Sequence, residues 1–352
     1  MNYRGTYLKI NLRNIRNNVE NIINTYSGYK YYIGVVKADS YGHDDIKTVQ
    51  AIIAGGCNYL AVATLNEALI IRKKIKDIPI LCLGVINKKY LDVCAKNNID
   101  ITVSSLDYLK NINVNNLNIH IKLNTGMNRL GIKDKKEFIE TYNLAIEKRN
   151  NVVGIYSHLY KATDSRVNME QLDKFKDLIS CIDYKNVPVI HLQSSEGIVN
   201  LKKYDFINAC RMGIIMYGFS SNEKLKLNST FSLYSEVIQI NKLHKGDSLG
   251  YDGKYIADDD VKIAVVSIGY ADGVIRQNSN RNVYINNKKY PIVGNICMDM
   301  LFVKVDNSVN VGDEVVILKD KEHILEVSKH MNTIPYEILC SISKRVPRVY
   351  IK

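Results

Sequence analysis

A single lysine stands at the end of an apolar run in the segment VVKADSYGHD, where Lys37 follows two valines. The run that leads to it, YYIGVVK from Tyr31, is typical of a buried parallel strand. A lysine shielded by apolar neighbours has a lowered pKa and can form a Schiff base with a carbonyl compound. Tyr41, a little further along the chain, is placed to bind a phosphate group. A lysine that extends its ammonium group into solvent is the alternative interpretation.

The strand before Lys37 is the first of eight similar segments. Each is a short apolar run, and the intervals between them can mostly hold a helix. The runs begin at Tyr31, Tyr59, Pro79, Asp100, Asn118, Asn151, Pro188 and Phe206. Eight strand and helix units predict a (β/α)8 barrel, in which the carboxyl ends of the strands carry the catalytic groups. An open doubly wound sheet has the same strand pattern and stays possible at this point.

The pattern changes after residue 222. Five β-rich segments, from TFSLYSEVIQI to DEVVILK, follow one another closely with turn residues such as HKGD, NNKK and NVGD between them. One late helix is predicted around HILEVSKHM, and the N-terminal TYLKINL is predicted to be a strand that joins this region. The sequence therefore predicts a barrel over residues 11–222 and a mostly β domain formed by residues 1–10 together with 223–352.

The chain has 352 residues, of which 46% are hydrophobic and 24% charged, and these values favour a globular protein of two domains. The net charge is +12, but the basic residues are spread along the chain, which argues against a nucleic-acid-binding protein. The seven cysteines have no metal-site spacing, so we expect reduced thiols and no metal. We see neither a membrane span nor a secretory leader, and we expect a cytoplasmic protein without a membrane partner.

Seven segments resemble, in order and spacing, the signature segments of the alanine racemases. They are VVKADSYGHD, KLNTGMNRLG, RMGIIMYG, GYDGKY, SIGYADG, GNICMD and the ending TIPYE with RVPR. The resemblance covers almost the whole chain. It implies an enzyme that uses pyridoxal 5′-phosphate to interconvert L-alanine and D-alanine, a precursor of peptidoglycan. It also implies a homodimer in which the β domain of one subunit completes the active site of the other.

The resemblance further implies two catalytic residues, one for each face of the substrate α-carbon. Lys37 would bind pyridoxal phosphate covalently and later act as an acid and base. Tyr251, in GYDGKY, matches the catalytic tyrosine of the family. A phenol with a pKa of about 10 can act as a base only if positive charge or hydrogen bonds lower that pKa. Without the resemblance, Tyr251 would be interpreted as a tyrosine in a hairpin turn.

Other motif positions would hold the cofactor. Arg211, which is predicted to follow the eighth strand, matches an arginine that hydrogen-bonds to the pyridine nitrogen. The positions that match the phosphate-binding group are Ser195, the backbone amides of Gly213 and Ile214, and the hydroxyls of Tyr41 and Tyr336. The match at Ser195 is imperfect, because the family usually has Asn-Ser-Ala where this chain has Ser-Ser-Glu.

Two basic residues of KLNTGMNRLG are implied in substrate binding. Arg129 matches an arginine that contacts the cofactor and the substrate carboxylate, a task that suits a planar guanidinium. Lys122 matches a lysine that is often carbamylated in the family, where the new carboxylate orients that arginine. Asn124 replaces the common aspartate and removes a negative charge from this segment.

The remaining implied positions lie in the β domain and on two barrel strands. Met298 and Asp299 match residues that reach the substrate carboxylate, and Tyr270 matches a tyrosine at the entrance of the site. His158 and His191, each predicted to end a strand, match histidines that support the catalytic tyrosine and the arginine at the pyridine nitrogen.

Two related functions are the alternatives. The segments HLQSSEG and SHLYKATDS are closer to the serine-racemase branch, so a serine or broad-specificity racemase is the first alternative. Tyr336 favours alanine, because serine-preferring racemases of this fold tend to have a smaller polar residue there. A non-catalytic pyridoxal-phosphate carrier would share only the barrel, and the β domain with Tyr251 argues against it.

Overall fold

The computed structural model describes residues 3–44 and 46–352, which divide into two compact units. The barrel unit comprises Ile15–Ser40 and Asp44–Leu227. The β unit comprises the described residues up to Asn14 together with Tyr41–His43 and Asn228–Lys352. Residues 1 and 2 of the predicted β domain lie outside the described residues. The sequence does not predict that Tyr41–His43 belong with the β unit.

Eight parallel strands close into a barrel in the first unit. They are Tyr31–Val35, Tyr59–Val62, Ile80–Cys82, Ile99–Val103, Asn118–Lys122, Asn151–Tyr156, Val189–His191 and Ala209–Met212. Each overlaps one of the eight predicted runs, and Tyr31 pairs with Ala209 so that the first strand meets the last. The (β/α)8 prediction is confirmed, and the closure excludes an open sheet. Arg211 lies inside the last strand, so the prediction that it follows this strand is wrong.

Helices follow seven of the eight barrel strands, and short polar side chains cap several of them. The helices of this half of the chain are Leu12–Thr25, Ile46–Ala54, Leu65–Lys74, Leu91–Lys96, Leu106–Lys110, Lys135–Glu147, Ser165–Ile179 and Ser195–Asn200. Thr64 and Glu67 form a capping box, in which each side chain accepts from the backbone amide of the other. Asp134 and Asp164 each accept from amides in the first turn of their helices. These caps fix where the helices begin and so limit the loops that carry the candidate residues.

The β unit is built around one long strand, Phe231–Leu243. It pairs antiparallel with Tyr7–Asn11, Val261–Val266 and Glu314–Leu318, which confirms that the N-terminal segment is a strand of this unit. Its first half alternates buried with partly buried side chains, the pattern of a sheet with one face on a core. The other strands are Ser248–Leu249, Tyr255–Ile256, Asn282–Ile285, Lys288–Pro291, Leu301–Val305 and Arg348–Ile351.

Two helices, rather than the one predicted, lie near the end of the described chain. Lys321–His330 is the predicted helix, and Asp320 caps it by accepting from the amide of His323. The second helix, Pro335–Ser341, begins with a proline in its first turn and carries Tyr336. The prediction misses it because two turns are too short to establish a helical period in the sequence.

Candidate active site

The barrel unit holds Arg211 in its last strand with 2% of its surface exposed. Nη1 donates to Nδ1 of His191 at 2.6 Å, and Nη2 donates to Nδ1 of His158 at 3.0 Å. Nη2 also donates to the carbonyl oxygens of Ser157 and Leu192, at 2.9 and 3.0 Å. Nε has no acceptor among the described residues. The guanidinium is therefore fixed in place with one donor left for a ligand.

The position of Arg211 decides the protonation of both histidines. Burial lowers the pKa of Arg211 only to about 10, so the group stays protonated at neutral pH and always donates. The nitrogen that faces it on His158 and His191 must then be an acceptor, and each ring carries its proton on Nε2. Burial and the charge of Arg211 lower the pKa of His158 to about 2 and that of His191 well below its ordinary value. Both rings are neutral, and His158 keeps an Nε2–H donor.

The structure confirms the predicted position of one of the two histidines and corrects that of the other. His191 ends the strand Val189–His191, as predicted. His158 lies two residues beyond the end of Asn151–Tyr156, so the prediction that it ends a strand is wrong. The chain still turns His158 toward the same guanidinium, because Arg211 bonds to both rings.

Lys122 is buried at the end of its strand, and its side chain has no hydrogen bond or ion pair within the described chain. Its Nζ lies 4.9 Å from the centre of the Tyr156 ring. Burial, followed by the charges of Arg211, Arg129 and Lys37, lowers its pKa to about 7. A large fraction of Lys122 is therefore an uncharged and nucleophilic amine at neutral pH.

Lys37 is half-buried just beyond the first barrel strand and has no hydrogen-bond partner among the described residues. The four residues that follow it, Ala38–Tyr41, have φ values between +52° and +55°. Such a left-handed turn of non-glycine residues costs about 1–2 kcal/mol per residue and is typical of functional sites. The carboxylate of Glu67 holds the turn by accepting from the amide of Ala38 at 2.7 Å.

Arg129 lies exposed in the loop that follows Lys122, and no described residue pairs with it. The side-chain oxygen of Asn124 stabilises this loop by accepting from the amides of Gly126 and Asn128, at 3.1 and 3.0 Å. The asparagine therefore forms the turn without the negative charge of an aspartate. Its neutrality leaves the charge of Arg129 without compensation in the loop itself.

Ser195 and two backbone amides form a small group of donors near the last strand. Oγ of Ser195 accepts from the amide of Gly213 at 3.0 Å. Ile214 begins a short 3-10 turn, so its amide has no acceptor within the turn. Glu196, which departs from the small residue of the family, accepts instead from the amide of Ser221 at 3.2 Å. The Ser195 hydroxyl and the Ile214 amide are thus donors open to an anion.

Two motif loops of the β unit, those of Tyr251 and Tyr270, each contact the loop that carries Met298. The side chain of Asn295 donates to the carbonyl oxygen of Tyr251 at 3.0 Å, and the amide of Tyr270 donates to the carbonyl oxygen of Cys297 at 3.0 Å. The side chains of Tyr251, Tyr270 and Met298 are 71%, 41% and 53% exposed. Tyr251 lies between two short antiparallel strands, so it does occupy a hairpin turn. The structure brings these three candidates into one exposed group.

The last three candidates of the β unit are held by other contacts. Oδ1 of Asp299 accepts from Nη2 of Arg345 at 2.8 Å, so its carboxylate already has a cationic partner. The rings of Tyr41 and Tyr336 lie 5.9 Å apart. Burial, and then the neighbouring Tyr336, raises the pKa of Tyr41, so its hydroxyl keeps its proton and can donate.

The donors of the barrel unit fit pyridoxal 5′-phosphate, which has an aldehyde, a ring nitrogen and a phosphate. Lys37 offers an amine without a partner. Arg211 offers the one unused donor of a buried guanidinium, and Ser195 and Ile214 offer donors for a phosphate. These groups carry unused donors in the structure, which is the property that a bound anion and an aromatic nitrogen require.

The sequence does not predict the contacts of two residues in this region, Tyr156 and Glu67. The ring of Tyr156 stacks on His191 with centroids 4.6 Å apart and lies beneath Lys122. Nothing in the sequence distinguishes it among 24 tyrosines. Glu67 belongs to a T-x-x-E pattern that predicts a capping box. That pattern does not predict its bond to Ala38, which lies 29 residues away in the chain.

Three other kinds of feature are absent from the described residues. Over residues 3–44 and 46–352, no helix has the length and apolar character that crossing a bilayer requires. The same residues contain no group of three or more His, Cys, Asp or Glu side chains that would hold a metal ion. No disulfide joins the cysteines, all of which lie within these ranges.

Comparisons with known proteins agree over the whole chain. The sequence profile of the alanine racemase N-terminal domain matches residues 10–221, and that of the C-terminal domain matches residues 230–350. Alanine racemase from Staphylococcus epidermidis is 36% identical, with 99% of this chain and 95% of the relative covered. Alanine racemase 1 from Bacillus subtilis is 34% identical, with 99% and 94% covered.

Solved structures give the same result. The crystal structure of alanine racemase from Bacillus anthracis with bound L-Ala-P has a TM-score of 0.93 at 30% identity, and covers 100% of this chain and 96% of its own. That of alanine racemase from Bartonella henselae with covalently bound pyridoxal phosphate has a TM-score of 0.88 at 28% identity, with 99% of each chain covered. The chain therefore belongs to the alanine racemase family, the pyridoxal-phosphate-dependent isomerases that interconvert L-alanine and D-alanine.

Proposed function

We propose that Lys37 and Tyr251 transfer the protons of this reaction, one on each face of the alanine α-carbon. The observation that carries the proposal is the set of three cations, Lys37, Lys122 and Arg129, that have no partner among the described residues. An anionic cofactor and a substrate carboxylate supply the missing negative charge. Bound pyridoxal phosphate supplies a conjugated ring that stabilises negative charge at the α-carbon.

Arg211 sets the electronic character of the site through its unused Nε–H. This group donates to the ring nitrogen and cannot give up its proton, so that nitrogen stays unprotonated. An unprotonated ring nitrogen withdraws electrons weakly, and negative charge stays near the α-carbon. Protonation at that carbon, which completes racemisation, is then favoured over protonation elsewhere, which leads to transamination.

The phosphate and carboxylate contacts follow from the remaining donors. The amide of Ile214 and the hydroxyls of Ser195, Tyr41 and Tyr336 bind the phosphate, and the amide of Gly213 joins them when the phosphate replaces Ser195 Oγ as its acceptor. Arg129 and the loop of Met298 and Asp299 bind the substrate carboxylate. Because the carboxylate of Asp299 is paired with Arg345 and repels a substrate carboxylate, we assign binding to the backbone amides of this loop.

Lys122 is the site of a carbamate in this proposal. Carbon dioxide reacts with an uncharged amine, and a pKa of about 7 keeps a large fraction of Lys122 in that form. Loss of one proton then leaves a carboxylate on Nζ. This negative charge pairs with Arg129 and orients its guanidinium toward the substrate.

The catalytic unit in this proposal is a homodimer. Residues 11–222 bind the cofactor, and residues 1–10 with 223–352 carry Tyr251, Tyr270 and Met298 to the partner subunit's site. The exposure of these three side chains supports this arrangement, because large apolar groups gathered at the surface are typical of contact regions. The Nε2–H of His158 then donates to the hydroxyl oxygen of the partner subunit's Tyr251 and orients it. We keep the cytoplasm as the expected location.

The test separates the two proton transfers in deuterated water. With the wild-type holoenzyme, both alanine enantiomers should exchange the α-hydrogen and invert. In Tyr251→Phe, racemisation should fall by roughly 100-fold or more, while Lys37 still exchanges the α-hydrogen of one enantiomer without inversion. Equal exchange of both enantiomers at wild-type rates would overturn the two-base assignment.

A matched control comes from the same hairpin. Tyr255→Phe alters the other tyrosine of GYDGKY, which packs against Leu249, Ile263 and Val293, and should leave both exchange rates unchanged. L-serine in place of L-alanine tests the alternative substrate. Racemisation of serine at or above the rate of alanine would assign the chain to the serine branch.

A further inference from the structure

A chain of hydrogen bonds runs through the barrel interior from Arg211 to Asp100. Nη1 of Arg211 lies 2.6 Å from Nδ1 of His191, and Nε2 of His191 lies 3.1 Å from Nδ1 of His120. Nε2 of His120 lies 2.9 Å from the hydroxyl of Tyr59, which bonds to Oδ2 of Asp100. All five side chains are buried.

Counting donors gives this chain one direction. Arg211 can only donate, so Nδ1 of His191 accepts and its proton lies on Nε2. That proton is donated to Nδ1 of His120, so His120 also carries its proton on Nε2. His120 then donates to Tyr59. Burial and the neighbouring Asp100 raise the pKa of Tyr59, so the phenol keeps its proton and donates to the carboxylate.

We propose that Asp100 and Tyr59 are positioning residues for Arg211. Their hydrogen bonds hold His120 and His191 in the single tautomer that presents an acceptor to the guanidinium. The carboxylate of Asp100 closes the chain and compensates a buried positive charge that has no carboxylate beside it. The direction of the hydrogen bonds follows from their geometry and from the donor-only guanidinium, whereas their effect on racemisation rests on the proposed contact between Arg211 and the cofactor.

The surrounding strands are built to accommodate the chain. A Cβ atom on Gly154 would lie 2.1 Å from Nδ1 of His120, so a residue without a side chain is needed in the neighbouring strand. The side chain of Asn118 donates to the second oxygen of Asp100 at 2.9 Å. Barrel interiors are usually filled by branched apolar side chains. A buried polar series in their place is tolerated only when its donors and acceptors are satisfied.

Asp100→Asn tests the proposal with almost no change of shape. A carboxylate only accepts, but the amide can also donate, so the bonds through Tyr59 and His120 can reverse. His191 would then carry its proton on Nδ1 and oppose the N–H of Arg211. Tyr59→Phe removes only the linking hydroxyl. Its effect should be smaller, because Nε2 of His120 is already 3.8 Å from Oδ2 of Asp100.

The first measurement is the set of imidazole nitrogen chemical shifts in nitrogen-15 histidine-labelled holoenzyme. Among seven histidines, His120 and His191 should both have a protonated Nε2 and an unprotonated Nδ1. In Asp100→Asn both should shift toward a mixture of tautomers. The kcat for alanine should fall about tenfold, with KM within about twofold.

The control is Thr102→Val, which removes another buried hydroxyl two residues along the same strand. Thr102 bonds to Tyr156 and takes no part in the series of hydrogen bonds from Arg211 to Asp100, so the histidine tautomers and kcat should not change. A proton on Nδ1 of either histidine in the wild type would overturn the proposal. So would unchanged tautomers and kcat in both Asp100→Asn and Tyr59→Phe. If the wild type showed no racemisation, the proposed function would fail, and the tautomers alone would decide the direction of the chain.

Discussion

The candidate site of the barrel unit and the Asp272 cluster of the β unit treat buried charge in opposite ways. In the β unit, the fully buried Asp272 accepts from Nη1 of Arg4 at 2.8 Å and from Nε of Arg345 at 3.0 Å. Arg345 also pairs with Asp299, so two arginines meet two carboxylates. In the barrel unit, Lys122 and Arg211 are buried with no carboxylate in hydrogen-bond contact among the described residues.

This difference distinguishes charged groups that stabilise the fold from charged groups that can bind a ligand. A buried charge that is paired with an opposite charge inside the protein stabilises a loop arrangement and needs no ligand as its partner. A cation that is buried without a counter-charge loses its hydration, and hydrogen bonds to the protein or the negative group of a ligand must offset this loss. The unbalanced cations of the candidate site are therefore suited to bind anions, whereas the balanced cluster holds the exposed loops of Tyr270 and Met298.

The largest expected effect comes from Lys37, whose amine has no partner among the described residues. Lys37→Ala should lower racemisation by roughly 1,000-fold or more, because in the proposed function it removes both the covalent attachment and one proton-transfer group. Lys37→Arg keeps the positive charge and should be nearly as damaging. We would measure kcat together with the fraction of cofactor retained after dialysis. Near wild-type activity of Lys37→Arg would mean that only its charge matters.

The second prediction asks whether the exposed group of the β unit serves another copy of the chain. Lys37→Ala and Tyr251→Phe should each be almost inactive. When the two are co-expressed and pair at random, half of the dimers are mixed, and each mixed dimer has one site with both groups intact. About a quarter of wild-type activity should return. A mixture that stays inactive would contradict a site shared between two subunits.

Local patterns predict much of the frame that carries these groups. Apolar runs predict the eight strands because burial on both faces demands them, and the pairing of Tyr31 with Ala209 turns them into a barrel. The left-handed turn at Ala38–Tyr41 is not predictable in this way. Four such residues oppose local preference, and only long-range contacts such as that of Glu67 with Ala38 hold them.

The sequence also does not predict the hydrogen-bonded polar side chains in the barrel interior. Tyr59 bonds to Asp100 over 41 residues and contacts His120 over 61 residues. None of these residues belongs to a motif, and each alone would be interpreted as part of an ordinary strand. The motifs identify Lys37 and Arg211 because their chemistry recurs in a family. The residues proposed to position Arg211 can be identified only from the structure, in which the strands that carry them lie side by side.

The third prediction concerns the loss of the buried carboxylate that Arg4 and Arg345 share in the β unit. Asp272→Asn should lower the free energy of unfolding by about 2 kcal/mol, because both arginines lose the charge of a shared buried carboxylate. We would measure the midpoint of urea unfolding. Asp258→Asn is the control, since Asp258 pairs with Lys304 while its side chain stays 77% exposed. An exposed pair of this kind contributes little, and equal effects of the two substitutions would remove the distinction between balanced core and surface charge.

The smallest effect expected concerns Lys122 and depends on pH. Its lowered pKa of about 7 means that the amine is protonated below this pH and mostly uncharged above it. Carbamate formation should therefore be favoured as pH rises from 6 to 8. Removing carbon dioxide should lower kcat by about tenfold at pH 8, by analogy with other groups that orient a ligand-binding side chain. At pH 6, where little carbamate forms, removal should have almost no effect.

Carbon-13 bicarbonate makes the modification directly visible by NMR. The wild type should give a carbamate signal that grows with pH, and Lys122→Met should give none and should not respond to carbon dioxide. The substitution keeps an unbranched side chain over the ring of Tyr156, so the loss of charge is tested with little change in packing. If the wild type gives no carbamate signal at pH 8 while its activity is full, Arg129 is oriented by the substrate alone. The unbalanced charge of Lys122 would then serve the cofactor rather than a modification.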